Sequence, residues 1–310
     1  TATTIGKMAN GIADNMLVTT YLSAKCPVFV APAMDLDMFA HPSTQNNLKI
    51  LQEFGNIIID PGEGQLASGL EGKGRMEEPE NILEIVIDYF ERKKKLLNKT
   101  FLVTAGPTFE KIDPVRFIGN YSSGKMGYSI AEELAAQGAD VILVSGPVSV
   151  FTNKKGINVI RVESADEMFS ECVKHFGECN GAVMCAAVAD FTPVKAEFQK
   201  TKRGNKNWDL ELQPTKDIAA ALGKAKSDKQ ILVGFALETN DEIINAKKKL
   251  QKKKFDFIVL NSLNEFGAGF QVDTNKITII DKNNNQQSFE LKSKKEVAVD
   301  IVDKMISLLP

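Results

Sequence analysis

Histidine, cysteine and tryptophan are scarce in this sequence. Its 310 residues include two His, four Cys and one Trp. Because His occurs only at positions 41 and 175, we expect neither a histidine-based metal site nor a Ser-His-Asp triad. The cysteines form no C-x-x-C pair and lie in apolar or helical runs, which predicts free thiols in the reducing cytoplasm and no zinc site; they are Cys26, Cys172, Cys179 and Cys185.

Long apolar runs and a large charge imbalance are also missing. No run approaches the ~18 residues of a membrane-spanning helix, and the formal net charge is −2. We therefore expect neither a membrane nor a nucleic acid as partner. The length predicts two domains. We place them at residues 1–95 and 96–310, with the basic run Arg92–Lys99 as the linker.

The stretch Thr104–Gly127 dominates the second domain. The apolar run Phe101–Val103 before it predicts a buried strand, and the sequence after it predicts a helix that ends at Gly138. Another apolar run follows, so the pattern predicts a right-handed βαβ unit. The connection from strand to helix is much longer than the two to six residues that are usual. Long loops at the carboxyl end of a strand typically bind ligands.

Part of this loop imitates a phosphate-binding P-loop. Residues 119–125 fit G-x-x-x-x-G-K, but Met126 stands where a P-loop needs a hydroxyl for Mg²⁺. A P-loop kinase is therefore disfavoured. Ser122 or Ser123 is expected to cap the helix, and its N-terminus offers N–H groups to an anion. An ordinary Ser-capped helix after a long loop is the alternative that spacing alone leaves open.

The residues of the loop are more specific than its spacing. TAG-x-T-x-E-x-I-D-P-V-R-x-I-x-N-x-S-S-G-K-M-G resembles the opening signature of the phosphopantothenate–cysteine ligases, with Pro107 where Gly is usual. The resemblance implies an α/β fold with a Rossmann-like, mostly parallel sheet. It also implies a reaction that uses CTP and Mg²⁺ to join 4′-phosphopantothenate and cysteine through an acyl-cytidylate.

Later segments extend the resemblance: A-A-V-A-D ending at Asp190, K-x-K-R starting at Lys200, P-T-K-D, and G-F-A-x-E-T. It implies that Asn120 and Lys200 are catalytic and that Asp190 binds the metal. Without the resemblance, a turn cap explains Asp190 equally well, and a core position explains Phe235 equally well. For Lys200, a solvated basic loop is the usual explanation. The implied nucleotide contacts are Met184, Cys185, Ala186, Asp190, Lys200, Pro214, Thr215, Lys216, Asp217, Phe235, Lys249 and Lys253.

The first domain has a resemblance of its own. T-x-x-T-I-G-K-M-A-x-G-I-A-D-N, P-A-M-x-x-x-M and G-x-L-A-x-G-x-x-G-x-G-R-M resemble about the last half of the flavin-dependent phosphopantothenoylcysteine decarboxylases. This implies a partial flavodoxin-like domain that binds FMN, with Asp35 and Ser68 as catalytic candidates. Asp35 stands where Asn is usual, and Ser68 stands where Cys is usual. The family's catalytic His is expected upstream of Thr1, so we expect a fragment that does not decarboxylate.

Several local elements are also predicted. They are a helix over 5–24, a buried strand over Cys26–Ala31, a capping box at Ser164, a helix over Asp241–Lys254 that buries Ile243, Ile244 and Leu250, and a hairpin of Lys276–Ile280 with Ser288–Leu291. Similar ligases pair through their sheet regions, so we expect the hairpin to support a homodimer.

The order of the two segments resembles the bacterial bifunctional enzymes of coenzyme A synthesis. A nucleotide-dependent oxidoreductase on a Rossmann-like sheet is the alternative, disfavoured because no G-x-G-x-x-G follows a strand. A noncatalytic flavin- or nucleotide-binding scaffold is a third interpretation.

Overall fold

The computed structural model describes residues 1–66, 68–92, 94–203, 207–238, 241–262 and 272–309. Contacts between Cα atoms divide the chain into two compact units, Thr1–Lys93 and Lys94–Pro310. No helix in these ranges is long and apolar enough to cross a membrane.

The first unit is small and mixes helices with short strands. Its core contains Ile5, Met8, Val18, Leu48 and Leu51. Strands β1 and β2 pair in parallel, and β3 and β4 form an antiparallel hairpin. Its elements are α1 (Ala2–Ala9), α2 (Met16–Leu22), β1 (Phe29–Val30), α3 (Leu36–Ala40), α4 (Pro42–Glu53), β2 (Ile57–Ile58), β3 (Gly62–Gln65), β4 (Glu71–Arg75) and α5 (Pro79–Arg92).

Two predictions for this unit are wrong. The helix over 5–24 is two helices, because the chain turns at Gly11 with φ +69° and restarts at Asn15, which accepts a hydrogen bond from the Val18 N–H. The strand over Cys26–Ala31 is paired only at Phe29–Val30, and Cys26 is exposed. The apolar residues in the sequence continue through the helix break and beyond the paired part of the strand, so the apolar pattern did not reveal either limit.

The second unit is built around one large sheet. Its elements are β5 (Thr100–Ala105), β6 (Phe109–Lys111), β7 (Phe117–Gly119), α6 (Lys125–Ala136), β8 (Asp140–Ser145), β9 (Ile157–Arg161), α7 (Ala165–Phe176), β10 (Gly181–Met184), β11 (Phe191–Pro193), β12 (Leu212–Pro214), α8 (Ile218–Ala225), β13 (Ile231–Glu238), α9 (Glu242–Lys252), β14 (Phe257–Ser262), β15 (Thr274–Asn275), β16 (Ile277–Asp281), β17 (Gln286–Ser288), β18 (Lys292–Ser293) and α10 (Lys294–Leu308).

Eight strands form the sheet in the order β17-β16-β14-β13-β10-β5-β8-β9. The six from β14 to β9 are parallel; β16 pairs antiparallel with β14, and β17 pairs antiparallel with β16. From β5 the chain builds outward through β8 and β9, then returns to place β10 on the other side of β5. The strand order therefore reverses between β5 and β10, the position where open α/β sheets bind ligands.

Helices cover both faces of the sheet. Along β5, Phe101, Val103 and Ala105 contribute to one core cluster together with α6 and α10. Leu102 points the other way and belongs to a cluster with α7, α8 and α9. The mixed α/β fold with a mostly parallel sheet is as predicted.

Local predictions in this unit have mixed outcomes. The capping box at Ser164 is confirmed, and Gly138 follows α6 with φ +92°. The hairpin is present, but β16 lies one residue later than predicted, and β17 lies at Gln286–Ser288 and shares only Ser288 with the predicted second strand. In α9 only Leu250 of the three predicted residues is buried, because Ile243 and Ile244 are 44% and 55% exposed.

Candidate functional site

A cavity of about 570 Å³ lies at the carboxyl ends of the central strands. This volume is in the range of small-molecule sites. Thr104 and Met184 line it from the ends of β5 and β10, and Phe235 lines it from β13. The cavity therefore lies at the reversal of strand order, where the topology predicts a ligand.

The long loop folds so that α6 starts at this cavity. Part of it forms the hairpin of β6 and β7. The N-cap is Gly124 with φ +76° and no side-chain cap, so the predicted Ser122 or Ser123 cap is wrong; the Gly124 N–H instead donates to Ser122 Oγ at 3.4 Å. At Gly127 a Cβ would lie 2.6 Å from that of Ala105, so glycine lets α6 pack closely against β5.

Two buried threonines hold the segment after β10. Thr104 Oγ1 accepts hydrogen bonds from the N–H groups of Cys185 and Ala186, both at 3.1 Å. Thr108 Oγ1 accepts one from the Ala189 N–H at 3.0 Å. We did not predict these roles, although both threonines belong to the T-A-G-x-T motif; only the pairing of β5 with β10 brings them to this segment.

Asn120 and Asp190 reach the cavity from different loops. Asn120 Nδ2 donates to the carbonyl oxygen of Ala187 at 2.8 Å. Asp190 is exposed, and its carbonyl oxygen accepts from the Thr215 N–H at 3.0 Å. The Thr215 hydroxyl in turn donates to the Ala189 carbonyl at 2.7 Å. The A-A-V-A-D and P-T-K-D segments are thus hydrogen-bonded to each other.

Asp217 and Lys253 form an ion pair at the cavity. Their side chains are 3.1 Å apart, and Asp217 also caps α8 by accepting from the Ala220 N–H. Burial acts to raise the pKa of Asp217, but the Ala220 N–H and the Lys253 charge outweigh it, so the pKa lies below its ordinary value. This aspartate is therefore an anion at neutral pH.

The other predicted contacts are distributed as follows. Met184, Cys185, Ala186, Thr215, Lys216, Phe235 and Lys249 all line the cavity. Lys216 pairs with Asp166 at 2.6 Å and lies over the Phe169 ring at 5.1 Å. Burial raises the pKa of the Cys185 thiol to about 12, so it is not a ready nucleophile. Pro214 lines a neighbouring surface cavity instead.

Lys200 is exposed and is not among the residues that line the cavity. Its loop is held through the adjacent Thr201, whose carbonyl accepts from Arg116 Nη2 at 2.9 Å. Arg116 forms an ion pair with Asp113 and lies over the Trp208 ring at 4.5 Å. The Arg116 guanidinium holds the pKa of Asp113 well below its usual range. The catalytic role of Lys200 stays a prediction.

Lys125 and Lys294 also line the cavity, although we had not predicted either lysine as a cavity residue. Lys125 Nζ lies 2.6 Å from Asp273 Oδ1, and Lys294 Nζ donates to the Val272 carbonyl at 2.6 Å. Burial lowers the pKa of Lys294, and the Lys125 charge lowers it further. In the sequence, Lys294 stands in the run K-S-K-K-E, which is typical of a solvated helix start.

A magnesium site is not complete in the protein alone. Among the described residues no group of three or more His, Cys, Asp or Glu side chains could hold a metal ion. Asp190 contributes a single carboxylate to the cavity. Mg²⁺ commonly binds one or two carboxylates together with substrate phosphates, so Asp190 fits the ion when a phosphate-bearing substrate is present.

In the first unit, Asp35 and Ser68 occupy different settings. Asp35 caps α3 and accepts from the Leu36 N–H at 2.7 Å. Ser68 is exposed in the turn between β3 and β4. The Met34 N–H donates to the Gly74 carbonyl at 3.0 Å, so this hairpin contacts the P-A-M segment. The structure thus brings together the two segments that carry the candidates.

The start of α2 presents apolar side chains to solvent. Met16 and Leu17 are 85% and 60% exposed and follow Asn15, whose side chain is engaged by the Val18 N–H and by Asp14. The exposed apolar side chains suit the face of an aromatic ring such as a flavin.

Comparisons with known proteins agree with these two units. The model of the "DNA/pantothenate metabolism flavoprotein C-terminal domain" matches residues 96–309, and the "Flavoprotein" model matches residues 1–91. The chain belongs to the DNA/pantothenate metabolism flavoprotein family. Relatives named as bifunctional proteins of coenzyme A biosynthesis, described next, support the resemblance of the sequence to those proteins.

The relatives are similar over nearly the whole chain. A protein named cysteine/cysteine sulfinic acid decarboxylase, from an unknown prokaryotic organism, is 59% identical over 100% of this chain and 87% of its own length. The coenzyme A biosynthesis bifunctional protein CoaBC of Bacillus subtilis (strain 168) is 45% identical over 99% of this chain and 76% of its own length. The crystal structure of the C-terminal domain of a CoaBC protein matches 69% of this chain and 97% of its own, with 39% identity and a TM-score of 0.60.

Proposed function

We propose that the second unit is a phosphopantothenate–cysteine ligase of coenzyme A biosynthesis that uses CTP. The observation that carries this proposal is that Asn120, Asp190, Lys249 and Lys253 all line the same cavity. These residues come from three separate segments, the loop after β7, the segment after β10 and the end of α9, and each segment resembles a part of the ligases. Similarity to CoaBC proteins supports the same conclusion.

The first step joins two anions. A carboxylate oxygen of 4′-phosphopantothenate attacks the α-phosphorus of CTP, the bond to the β-phosphate breaks, and pyrophosphate leaves. Both reactants are negatively charged, so cations must offset their repulsion. Lys249 and Lys253 are placed at the cavity to do so. Mg²⁺ held by Asp190 and the phosphates would supply further positive charge.

The second step needs an activated acyl carbon and precise positioning. The uncharged amine of cysteine attacks the acyl carbon, the C–O bond to CMP breaks, and the nitrogen releases a proton to solvent as the amide forms. Asn120 is fixed by its hydrogen bond to the Ala187 carbonyl, so its amide is oriented before substrate arrives. The backbone at 185–187 is fixed beside the cavity, because the N–H groups of Cys185 and Ala186 donate to Thr104 and that of Ala187 donates to the Gly106 carbonyl. Lys200 is proposed to move to the cavity when substrate binds.

For the first unit we propose flavin-linked decarboxylation of phosphopantothenoylcysteine, with FMN as cofactor. FMN would supply oxidation of the thiol end of the substrate. Ser68 in the hairpin turn is a weak proton donor compared with a thiol of pKa ~8.5, and Asp35 is the alternative donor. CO₂ release from phosphopantothenoylcysteine, cysteine and cysteine sulfinic acid in the presence of FMN tests this proposal, and release from neither phosphopantothenoylcysteine nor the other two would contradict it.

The ligase proposal is tested by product formation. Purified chain should release pyrophosphate from CTP only when 4′-phosphopantothenate and Mg²⁺ are present, and then form the cysteine amide when cysteine is added. Pyrophosphate and product mass are measured. Absence of pyrophosphate under these conditions would refute the proposal. Thermal stabilisation by NAD(P) in place of CTP would favour the oxidoreductase, and stabilisation by neither would favour a scaffold.

A further inference from the structure

Helix α8 contains a glycine that its backbone conformation does not require. Gly223 is buried near the end of α8, and its φ lies outside the left-handed region. A glycine inside a helix is less favourable than an alanine by about 1 kcal/mol. The reason for glycine at this position therefore lies in the packing around it.

The end of α9 packs directly on Gly223. A Cβ at position 223 would lie 2.0 Å from the carbonyl oxygen of Lys253 and 2.9 Å from its carbonyl carbon. Nonbonded carbon atoms pack at about 3.5–4.0 Å. Any residue other than glycine at this position would therefore push the end of α9 away from α8.

The side chain of Lys253 is also held by α8. Its Nζ lies 3.1 Å from Oδ1 of Asp217, which is the N-cap of α8. Asp217 and Gly223 are about 9 Å apart along the helix axis, so Lys253 extends beside α8 from its backbone contact to its ion pair. These two contacts together fix the Lys253 ammonium at the cavity that it lines.

The turn after Lys253 is fixed from a second side. The Phe255 N–H donates to the Leu250 carbonyl at 3.0 Å and closes the end of α9. The Phe255 ring packs on Gly234 of β13, where a Cβ would lie 2.2 Å from Cε2 of that ring. The turn is therefore held between β13 and α8, and Lys253 is the residue that a side chain at Gly223 would displace.

We propose that Gly223 is a positioning residue of the ligase, because it lets α8 and the end of α9 come close enough to place the Lys253 ammonium against the triphosphate of CTP. The proposal rests on the proposed function, in which Lys253 offsets the charge of two anions. Gly223 is not among the residues that line the cavity, so it acts through Lys253. Since a misplacement of about 1 Å can cost about a hundredfold in rate, a single methyl group at Gly223 should impair catalysis.

The test is a double-mutant cycle of Gly223→Ala and Lys253→Met. Gly223→Ala alone should lower kcat/KM for CTP by about tenfold to a hundredfold. In a chain that already carries Lys253→Met, Gly223→Ala should change kcat/KM by less than about twofold, because the group that it displaces is gone. The same loss in both backgrounds would show a purely structural role and would overturn the proposal, as would an unchanged kcat/KM for Gly223→Ala alone.

Gly181→Ala is the matched control. Gly181 begins β10, and a Cβ there would lie 2.4 Å from the Ile231 carbonyl oxygen, so the position is similarly crowded. The cavity lies at the other end of this strand, at Met184. Gly181→Ala should lower the melting temperature, as Gly223→Ala does, but should change kcat/KM for CTP by less than about twofold. Equal losses of kcat/KM in the two glycine variants would contradict the proposal.

A second background covers a failure to fold. If Gly223→Ala does not fold, the cycle is repeated in Lys254→Gly, because glycine favours the left-handed φ of +53° at this exposed position and should stabilise the chain.

Pyrophosphate binding tests the position of Lys253 without turnover. The affinity for inorganic pyrophosphate, measured by calorimetry, should follow the same pattern across the cycle and the control. A wild-type chain that binds pyrophosphate but forms no cysteine amide would refute the proposed function, whereas the pyrophosphate affinities would still decide whether Gly223 positions Lys253.

Discussion

At the scale of single residues, Asn120 is placed to act on the acyl intermediate. Its Nδ2 donates to the Ala187 carbonyl, so an aspartate there would lose the donor and face a carbonyl oxygen with negative charge. We expect Asn120→Asp to release pyrophosphate but to accumulate the acyl-cytidylate instead of the amide. Quenched reactions analysed by mass spectrometry check this. Wild-type rates of amide formation would remove Asn120 from its proposed role.

Thr104 has a structural role that can be measured separately. It is 1% exposed, and one hydroxyl oxygen accepts from two backbone N–H groups. Thr104→Val keeps the shape and removes the acceptor, which should lower the free energy of unfolding by about 1–3 kcal/mol. The control is Thr278→Val, whose hydroxyl bonds Ser288 in an exposed position and should cost less than about 0.5 kcal/mol. Equal effects in urea unfolding would contradict the prediction.

At the scale of elements, the hairpin of β6 and β7 is fastened by Asp113. This carboxylate accepts from the Val115 and Arg116 N–H groups and pairs with the Arg116 guanidinium, which lowers its pKa. The pKa of an aspartate in the unfolded chain is ~3.9. Because the pKa of Asp113 is lower than this in the folded state, its contribution to stability is present above pH ~3.9 and is lost as the pH falls below that value.

We therefore expect wild-type stability to fall more steeply than that of Asp113→Asn between pH 5 and pH 2, because asparagine cannot titrate. Denaturant midpoints measured across this range check the expectation, and the two curves should converge at the acid end. Parallel curves would mean that the Asp113 contacts do not contribute. Asp303→Asn is a matched control, since that carboxylate is 57% exposed and its Lys95 partner is 3.9 Å away.

Features with a local sequence signal could be predicted, whereas features that depend on contacts between distant segments could not. The βαβ unit and the loop after β5 followed from apolar runs and a long motif, which act locally. Lys294 and Thr104 could not be assigned to the cavity, because their positions there depend on α10 packing against α6 and on β10 pairing with β5, which are properties of tertiary structure. Gly11 and the exposed Ile243 show the opposite error, in which a regular apolar pattern outweighed a real break or a solvent-facing position.

At the scale of the whole molecule, the antiparallel strand β17 forms one edge of the large sheet, and its residues are exposed and polar. An unpaired edge offers N–H and C=O groups to another strand. We expect the second unit to form a homodimer in solution. Light scattering at micromolar concentration checks this, with Gln286→Pro as a variant that removes an N–H facing away from β16. A monomeric mass for the unaltered chain would contradict the expectation.

The hydroxyl bonds from β5 to the segment after β10 also constrain how the protein folds. Thr104 and Cys185 are 81 residues apart in sequence, and contacts of such long separation form late and slowly. A chain that has made only its first βαβ unit would hold the α6 N-terminus but not the backbone of 185–190, so it would lack half of the cavity. We therefore expect nucleotide binding only after the second unit has folded completely. Bound ligand should slow global unfolding of this unit more than it slows local opening of its segments.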